Sequence, residues 1–269
     1  MQQGQVNAGA DAHVAAQPDH VTGEDAWLAT IAGYVDTLGF VALFGLFTAH
    51  VTGNFILIGS GLAGAGKGLL IKWLAFPAFV VGIVLARVLD NHLLARGHGT
   101  RACALYVTQA VLLAGFMIAG VLAVPITNAD APITIACGLL GAAAMGVQNA
   151  HGRLTARSVV ANTVMTGNVT QAVIDAFDLL FSSGDAKTRH AARTRLLRTL
   201  PPVAGFAIGA GAGAAGYLFA SFWALLPPLV ALCVLAVLSR NTACCVLRPR
   251  AAARKPSPVL YDSVRGSMS

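Results

Sequence analysis

The chain has 269 residues, of which 56% are hydrophobic and only 11% are charged, and its mean hydropathy is +0.70. A soluble domain carries about 25% charged residues, so this composition excludes an ordinary soluble enzyme, a disordered acidic chain, a coiled coil and a collagen-like repeat. It also argues against an outer-membrane barrel, whose strands alternate apolar and polar residues. We therefore predict an all-α, polytopic helical membrane protein.

Both ends of the chain are predicted to be disordered tails, an acidic one over 1–26 and a basic one over 241–269. The first tail has neither a basic segment nor an apolar run, so it does not match a secretory signal. The net charge of +7 collects in clusters at 96–101, 187–198 and 240–265. Beside apolar segments, such clusters mark cytoplasmic loops and contacts with anionic lipid rather than a nucleic-acid site.

Eight apolar segments lie between the tails, and six of them are long enough to span a bilayer alone, which takes about 20 residues. They are 28–48, 51–64, 70–89, 102–124, 132–150, 159–181, 200–222 and 224–238. The second segment would cover about 21 Å as a helix, less than the roughly 30 Å of hydrocarbon. We expect it to be a half-helix, a re-entrant segment or a continuation of its neighbour.

The basic clusters conflict with eight complete crossings. The clusters at 96–101 and 187–198 should both be cytoplasmic, yet three apolar segments separate them. We expect that the segment 159–181, the most polar of the eight, does not fully cross the membrane. A basic loop facing outward would also resolve the conflict.

Three sequence blocks recur in the same order and indicate an internal repeat. The matches are Gly33-Tyr34-Val35-Asp36 with Gly146-Val147-Gln148-Asn149, Val51-Thr52-Gly53-Asn54 with Met165-Thr166-Gly167-Asn168, and Phe79–Gly82 with Phe206–Gly209. We predict two related membrane halves, 27–124 and 132–240, each with four apolar segments. Transporter folds are often built from such repeats, with the site at the interface between them.

Small residues spaced by four are predicted to be helix-packing faces, because they let helix backbones approach closely in lipid. They are Gly205, Gly209 and Gly213 in the second half, and Ala78, Gly82 and Ala86 at the matched positions of the first half.

Asp36 lies near the middle of the first apolar segment, where a charge costs about 2.5–3.5 kcal/mol on insertion scales. We predict either a proton or cation site or a buried structural carboxylate. His50 is predicted to be either proton-linked or an interfacial histidine at the end of a span. On one continuous helix, Asp36, His50 and Asn54 would line one face but would be too far apart to touch.

The recurring Thr-Gly-Asn unit predicts a break in each half. It either exposes N–H groups and a positive helix end to a polar solute, or holds helices together by hydrogen bonds. The candidate solute-binding residues are Asp36, Thr52, Asn54, Asn149, Thr166 and Asn168, and the candidate proton-linked residues are Asp36 and His50. Asp175 and Asp178 are expected to pair with Arg189 or Arg193.

No catalytic motif, metal-ligand spacing or cofactor motif occurs in the sequence. We therefore expect no enzymatic activity, no cofactor and no metal site.

The paired motifs resemble the signatures of the YoaK family, a bacterial family of integral membrane proteins with a domain of unknown function. Residues 33–36 and 47–54 carry the first signature, and residues 145–150 and 163–168 carry the second. The resemblance covers about 27–240 and implies a multi-pass protein of the bacterial inner membrane. It implies no established activity and supplies no catalytic residues.

The sequence favours a small secondary carrier or solute-binding membrane protein with a polar midplane site at the repeat interface. The alternative is a non-transporting structural or regulatory membrane protein in which the Thr-Gly-Asn units serve helix packing. The expected partners are the lipid bilayer and a small polar solute or a proton, with no nucleic acid. Whether the protein forms an oligomer is left open.

Overall fold

The computed structural model describes residues 23–96, 101–154, 165–181 and 186–252, with backbone alone over 241–252. Every regular element within these ranges is helical, which confirms the predicted all-α class. The helices are α1 Glu24–Ala42, α2 Gly53–Leu62, α3 Leu69–Ala95, α4 Arg101–Ala123, α5 Pro132–Leu154, α6 Met165–Phe181, α7 Ala186–Ala220 and α8 Leu226–Ala252, with a 3₁₀ turn Ser221–Leu225 before α8.

Four helical stretches are long and apolar enough to cross a membrane: Leu69–Ala95, Arg101–Ala123, Pro132–Leu154 and Ala186–Arg240, the last of which contains α7 and part of α8. The chain is therefore a multi-pass membrane protein. Its helices extend into both predicted tails, because α1 begins at Glu24 and α8 ends at Ala252. The remainder of the tails, 1–22 and 253–269, lies outside the described residues.

The first apolar segment is not one helix, contrary to the prediction for 28–48. Helix α1 ends at Ala42 because Phe44 and Gly45 take left-handed conformations, with φ of 54° and 78°. Such residues commonly end helices, since they turn the backbone out of the helical path. The chain then runs as a non-helical connection to Thr52, where the short α2 begins. Of the three alternatives expected for 51–64, the structure shows a half-helix.

Helices α1 and α7 run in the same direction. A Cβ on Gly205, Gly209 or Gly213 would meet, in that order, backbone atoms of Ala26, Thr30 and Tyr34. The predicted packing face of α7 is therefore confirmed, and its partner is α1. The absence of side chains at these glycines brings the two backbones into direct contact.

Helices α3 and α5 also share one direction. Ile71, near the start of α3, lies against Gly138 near the start of α5. At the other end, Arg101 donates from Nε to Asp90 of α3 at 2.6 Å and from Nη2 to the carbonyl oxygen of Leu154 of α5 at 3.0 Å. We call this end of the bundle the Arg101 side.

Helix α1 begins on the Arg101 side as well. Glu24 in its first turn accepts a hydrogen bond from the hydroxyl of Tyr106, which follows Arg101 on α4. Since α7 runs parallel to α1, α7 also begins there. The chain thus leaves α5 and enters α7 on the same side, and α6 does not cross the membrane. For the described residues 165–181, this agrees with the incomplete crossing expected of the segment 159–181.

In this arrangement we expect six helices to cross the membrane layer: α3, α4, α5, α7 and α8, which belong to the long apolar stretches, and α1, which runs beside α7. The basic clusters at 96–101 and 187–198 therefore share the Arg101 side, as the positive-inside rule requires of cytoplasmic loops.

Residues matched in the sequence make matched contacts. A Cβ on Gly33 would overlap the carbonyl oxygen of Phe206, and a Cβ on Gly146 would overlap that of Phe79. These are the positions paired in the recurring blocks, with α1 corresponding to α5 and α3 to α7. Because α1 starts on the Arg101 side and α5 ends there, corresponding helices run in opposite directions.

Candidate functional site: a buried carboxylate and a re-entrant connection

The carboxylate of Asp36 organises the connection between α1 and α2. Its Oδ1 accepts hydrogen bonds from the backbone N–H groups of Thr48 and Ala49, both at 2.7 Å, and from Thr48 Oγ1 at 3.3 Å. Asp36 is 3% exposed. The connection therefore turns back from the end of α1 to the depth of Asp36, and the carboxylate satisfies backbone donors that a broken helix leaves without partners.

His50 contacts the second oxygen of the same carboxylate. Its Nδ1 lies 2.7 Å from Asp36 Oδ2, a contact that one continuous helix would not allow. The chain instead reverses between the two residues. Phe206 of α7 and Phe47 lie edge-on to the imidazole, with ring centroids at 5.2 and 6.3 Å.

The pair has one accessible member and one inaccessible member. The His50 side chain is 34% exposed, against 4% for Asp36. A histidine takes up or releases a proton near neutral pH, and a carboxylate in contact stabilises its charged form. The arrangement is thus able to hold one exchangeable proton at His50 beside the carboxylate of Asp36.

Asn54 acts as a clamp on the same connection. Its Nδ2 donates to the carbonyl oxygen of Phe47 at 2.8 Å, and its Oδ1 accepts from the Phe47 N–H at 3.0 Å. The side chain is buried, and these bonds occupy both ends of its amide. Thr52 precedes α2 but is exposed and makes no side-chain capping bond. In this copy of the motif, the asparagine and not the threonine orders the backbone.

The second copy of the motif is described only in part. Asn149 is half-buried on α5, Asn168 is half-buried at the start of α6, and Thr166 is exposed. The connection 155–164, which corresponds to the first connection in the sequence, lies outside the described residues. The structure brings Asp36, His50 and Asn54 together around one connection. The meeting of both copies at a single midplane site stays a prediction.

The predicted ion-pair partner of Asp175 is wrong. Asp175 is fully buried and binds Arg195, with Nη2 and Nε of the arginine at 2.7 and 3.0 Å from Oδ1. The predicted partners, Arg189 and Arg193, lie closer to the start of α7. The register of the antiparallel pair α6 and α7 sets the partner, and charge spacing alone does not reveal this register.

A second polar cluster escaped the sequence analysis. Tyr106 donates to Glu24, and its ring stacks on His151 with centroids 4.5 Å apart. One turn deeper, Gln109 Nε2 donates to Gln148 Oε1 at 2.7 Å. Gln148 Nε2 in turn donates to the carbonyl oxygen of Leu28 at 2.8 Å.

The sequence does contain a signal for this cluster. Tyr106 and Gln109 on α4, like Gln148 and His151 on α5, are three residues apart in or next to apolar segments, so each pair shares a helix face. Glu24 lies in the predicted tail, where the apolar pattern gives no signal. In the part of the chain that the structure describes, no three His, Cys, Asp or Glu residues are grouped closely enough to hold a metal ion.

The comparisons with known proteins agree with this architecture. A family model described as "Protein of unknown function (DUF1275)" matches residues 26–238. The chain belongs to this family. The match begins within the first turn of α1 and ends within α8, so it covers every helix between them.

One relative is the UPF0700 transmembrane protein YoaK of Bacillus subtilis (strain 168). It is 25% identical over 161 residues, which covers 60% of this chain and 69% of the relative. No solved structure matches the chain. The resemblance to the YoaK family is therefore confirmed.

Proposed function

We propose that the protein is a small secondary carrier of the bacterial inner membrane, with Asp36 and His50 as its proton-linked pair. The observation that supports this most directly is the 2.7 Å contact between Asp36 Oδ2 and His50 Nδ1. It joins a buried carboxylate to a half-exposed titratable group at a break in a membrane helix. Ionisable groups inside membrane bundles commonly belong to ion pathways and proton relays.

The helix directions also support a carrier. In several transporter families, halves of opposite direction meet around discontinuous helices, whose broken ends form the site. Here α1 and α5 run oppositely, and the short α2 and α6 each follow one of them. The matched contacts of Gly33 with Phe206 and of Gly146 with Phe79 are what two related halves would produce.

The contacts refine the roles proposed from the sequence. Asp36 Oδ1 and the Asn54 amide are occupied by the backbone of their own connection. We assign to Asp36 the role of holding the connection and charging His50, and to Asn54 that of a clamp. His50, as the exposed member, is the group that exchanges a proton and faces the solute.

The hydrogen bonds of Asn54 also favour a second function. Every hydrogen bond described for the Asn54 side chain stays within its own connection, as expected of a packing device. In this alternative the protein is a non-transporting structural or regulatory membrane protein. We rank it second, because local packing gives no reason for a half-exposed histidine on a buried carboxylate.

The test is a proton-flux assay on the purified full chain in liposomes that contain the pH dye pyranine. The external solution is switched to one of a panel of amino acids, organic acids, amines or sugars. We expect at least one solute to change the internal pH, and His50→Gln to abolish the change. The matched control is His92→Gln, because His92 is an exposed histidine on α3.

The alternatives give different results. If the pH change of the wild type is also seen with His50→Gln, the protein is a carrier, but the Asp36–His50 pair has no part in its mechanism. If no solute of the panel changes the internal pH although the protein is correctly folded and inserted in one orientation, the structural alternative is favoured.

A further inference from the structure

Helix α7 is much longer than the membrane layer requires. Its 35 residues extend about 52 Å at 1.5 Å per residue, whereas about 20 apolar residues suffice to cross the hydrocarbon. The apolar part of α7 runs from Leu200 to Ala220. The segment before Leu200 therefore lies beyond the hydrocarbon on the Arg101 side, at the level of lipid headgroups and the adjoining water.

Helix α6 accompanies this projecting segment. The ion pair between Asp175 and Arg195 fixes the two helices side by side, so the last turns of α6 lie at the same level. Phe177 and Phe181 stack on each other there, with ring centroids 4.8 Å apart. They are 61% and 69% exposed. An aromatic pair open at the membrane edge is typical of a surface that rests in the lipid interface.

The projecting segment of α7 carries arginines and leucines on one stripe. Arg189 and Arg193 are four residues apart, and Leu197 and Leu200 continue the same helical face toward the membrane. All four side chains are exposed. The order along the stripe is cationic away from the bilayer and apolar next to it. A phospholipid has the complementary order, with its phosphate outside its acyl chains.

Intramolecular carboxylates do not neutralise the two arginines among the described residues. Asp175 is buried and bound by Arg195, and Asp178 lies one turn beyond it on α6, half-buried. Asp185 belongs to the connection outside the described residues. The 165–198 stretch has five basic and three acidic residues in sequence, so a cationic surplus remains after every internal pairing.

We propose that the stripe Arg189, Arg193, Leu197 and Leu200 is a binding site for an anionic phospholipid of the cytoplasmic leaflet. The guanidinium groups would bind the headgroup phosphate, for which their planar donor arrangement is well suited. The leucines would contact the upper part of an acyl chain. This site is independent of the Asp36–His50 pair and of any transport activity.

The test is native mass spectrometry of the full chain in an equal mixture of phosphatidylglycerol and phosphatidylcholine with identical acyl chains. We expect the wild type to retain phosphatidylglycerol preferentially. Arg189→Gln/Arg193→Gln should reduce that preference about 25-fold, since each basic residue near an anionic surface contributes about fivefold. Arg189→Lys/Arg193→Lys keeps both charges and should retain most of it.

The matched control is Arg96→Gln/Arg153→Gln, which removes two exposed charges from the same side of the membrane but not from the stripe. Equal losses in this control and in the stripe variant would overturn the proposal, because they would show a general surface-charge effect. Displacement of the lipid by millimolar inorganic phosphate would overturn it too, because the site would then be one for free anions. Unfolding temperatures in zwitterionic detergent verify that each variant is folded.

Discussion

His50 Nδ1 lies 2.7 Å from Asp36 Oδ2, although thirteen residues of chain separate the two and a helix end intervenes. The contact exists because the other oxygen of the carboxylate binds the N–H groups of Thr48 and Ala49 and draws the connection back along α1. One buried side chain thus does two things: it orders a broken backbone, and it sets a negative charge beside a titratable ring.

These two roles of Asp36 are separable by substitution. Asp36→Asn keeps an acceptor oxygen for the backbone donors but loses the charge, whereas Asp36→Ala leaves both donors buried without a partner. Each such donor costs about 1–3 kcal/mol. We therefore expect Asp36→Ala to be clearly less stable than Asp36→Asn in a denaturant titration of the detergent-solubilised protein. Asp130→Ala, at an exposed carboxylate, is the control. Equal stability of the two Asp36 variants would contradict the backbone role.

The contact between α1 and α7 predicts that alanine substitutions at two nearby glycines of α7 have different effects on stability. A Cβ at Gly213 would overlap the carbonyl oxygen of Tyr34, whereas nothing lies within 4 Å of a Cβ at Gly211. Gly213→Ala should lower stability by about 1–3 kcal/mol through overpacking. Gly211→Ala should be neutral or stabilising, by up to about 1 kcal/mol, because alanine is the better helix former. Thermal unfolding of both variants checks this, and a loss at Gly211 as large as that at Gly213 would refute it.

Truncating the two polar side chains of the first Thr-Gly-Asn unit to alanine should have unequal effects on stability. Asn54→Ala leaves the N–H and the carbonyl of the half-buried Phe47 without their side-chain partners, so we expect a loss of about 1–3 kcal/mol. Thr52→Ala removes an exposed hydroxyl that makes no capping bond and should change stability little. Limited proteolysis of the connection between α1 and α2, beside unfolding measurements, reports both effects. A larger effect at Thr52 would show that the threonine, and not the asparagine, orders the break.

The positive-inside rule predicts that the Arg101 side of the bundle faces the cytoplasm. Thr127→Cys lies in the connection between α4 and α5, opposite the Arg101 side, and Arg96→Cys lies on the Arg101 side. In intact spheroplasts, a membrane-impermeant maleimide should label Thr127→Cys but not Arg96→Cys beyond the level of the unchanged chain. The reverse pattern would place the Arg101 side outside the cell.

The spanning helices could be predicted from the sequence, because their apolar length is set by bilayer thickness. The incomplete crossing at 159–181 could also be predicted, because three basic regions had to share one side. The break at Ala42 could not be predicted, because residues 37–47 are almost entirely apolar and the break depends on left-handed conformations at Phe44 and Gly45. A hydropathy profile contains no information on backbone conformation.

The site was predicted in its residues but not in its geometry. Asp36, His50 and Asn54 were singled out as polar residues in apolar surroundings, and they do lie together. Their actual partners are backbone groups of residues 47–49, which no sequence motif identifies. The cluster of Glu24, Tyr106 and His151 shows the same limit, since it joins three helices whose register only the folded chain reveals.

The contact between α1 and α7 has a mechanical consequence. At Gly205, Gly209 and Gly213, backbone faces backbone, and no α7 side chain is inserted between the turns of α1 at these three positions. Interdigitated side chains must change rotamers before one helix can move along another, but a smooth surface of this kind needs no such rearrangement. The same applies where Gly82 and Gly146 join α3 to α5. The bundle thus contains two helix interfaces without interdigitated side chains. We expect one group of helices to be able to slide past the other at these interfaces as a rigid unit.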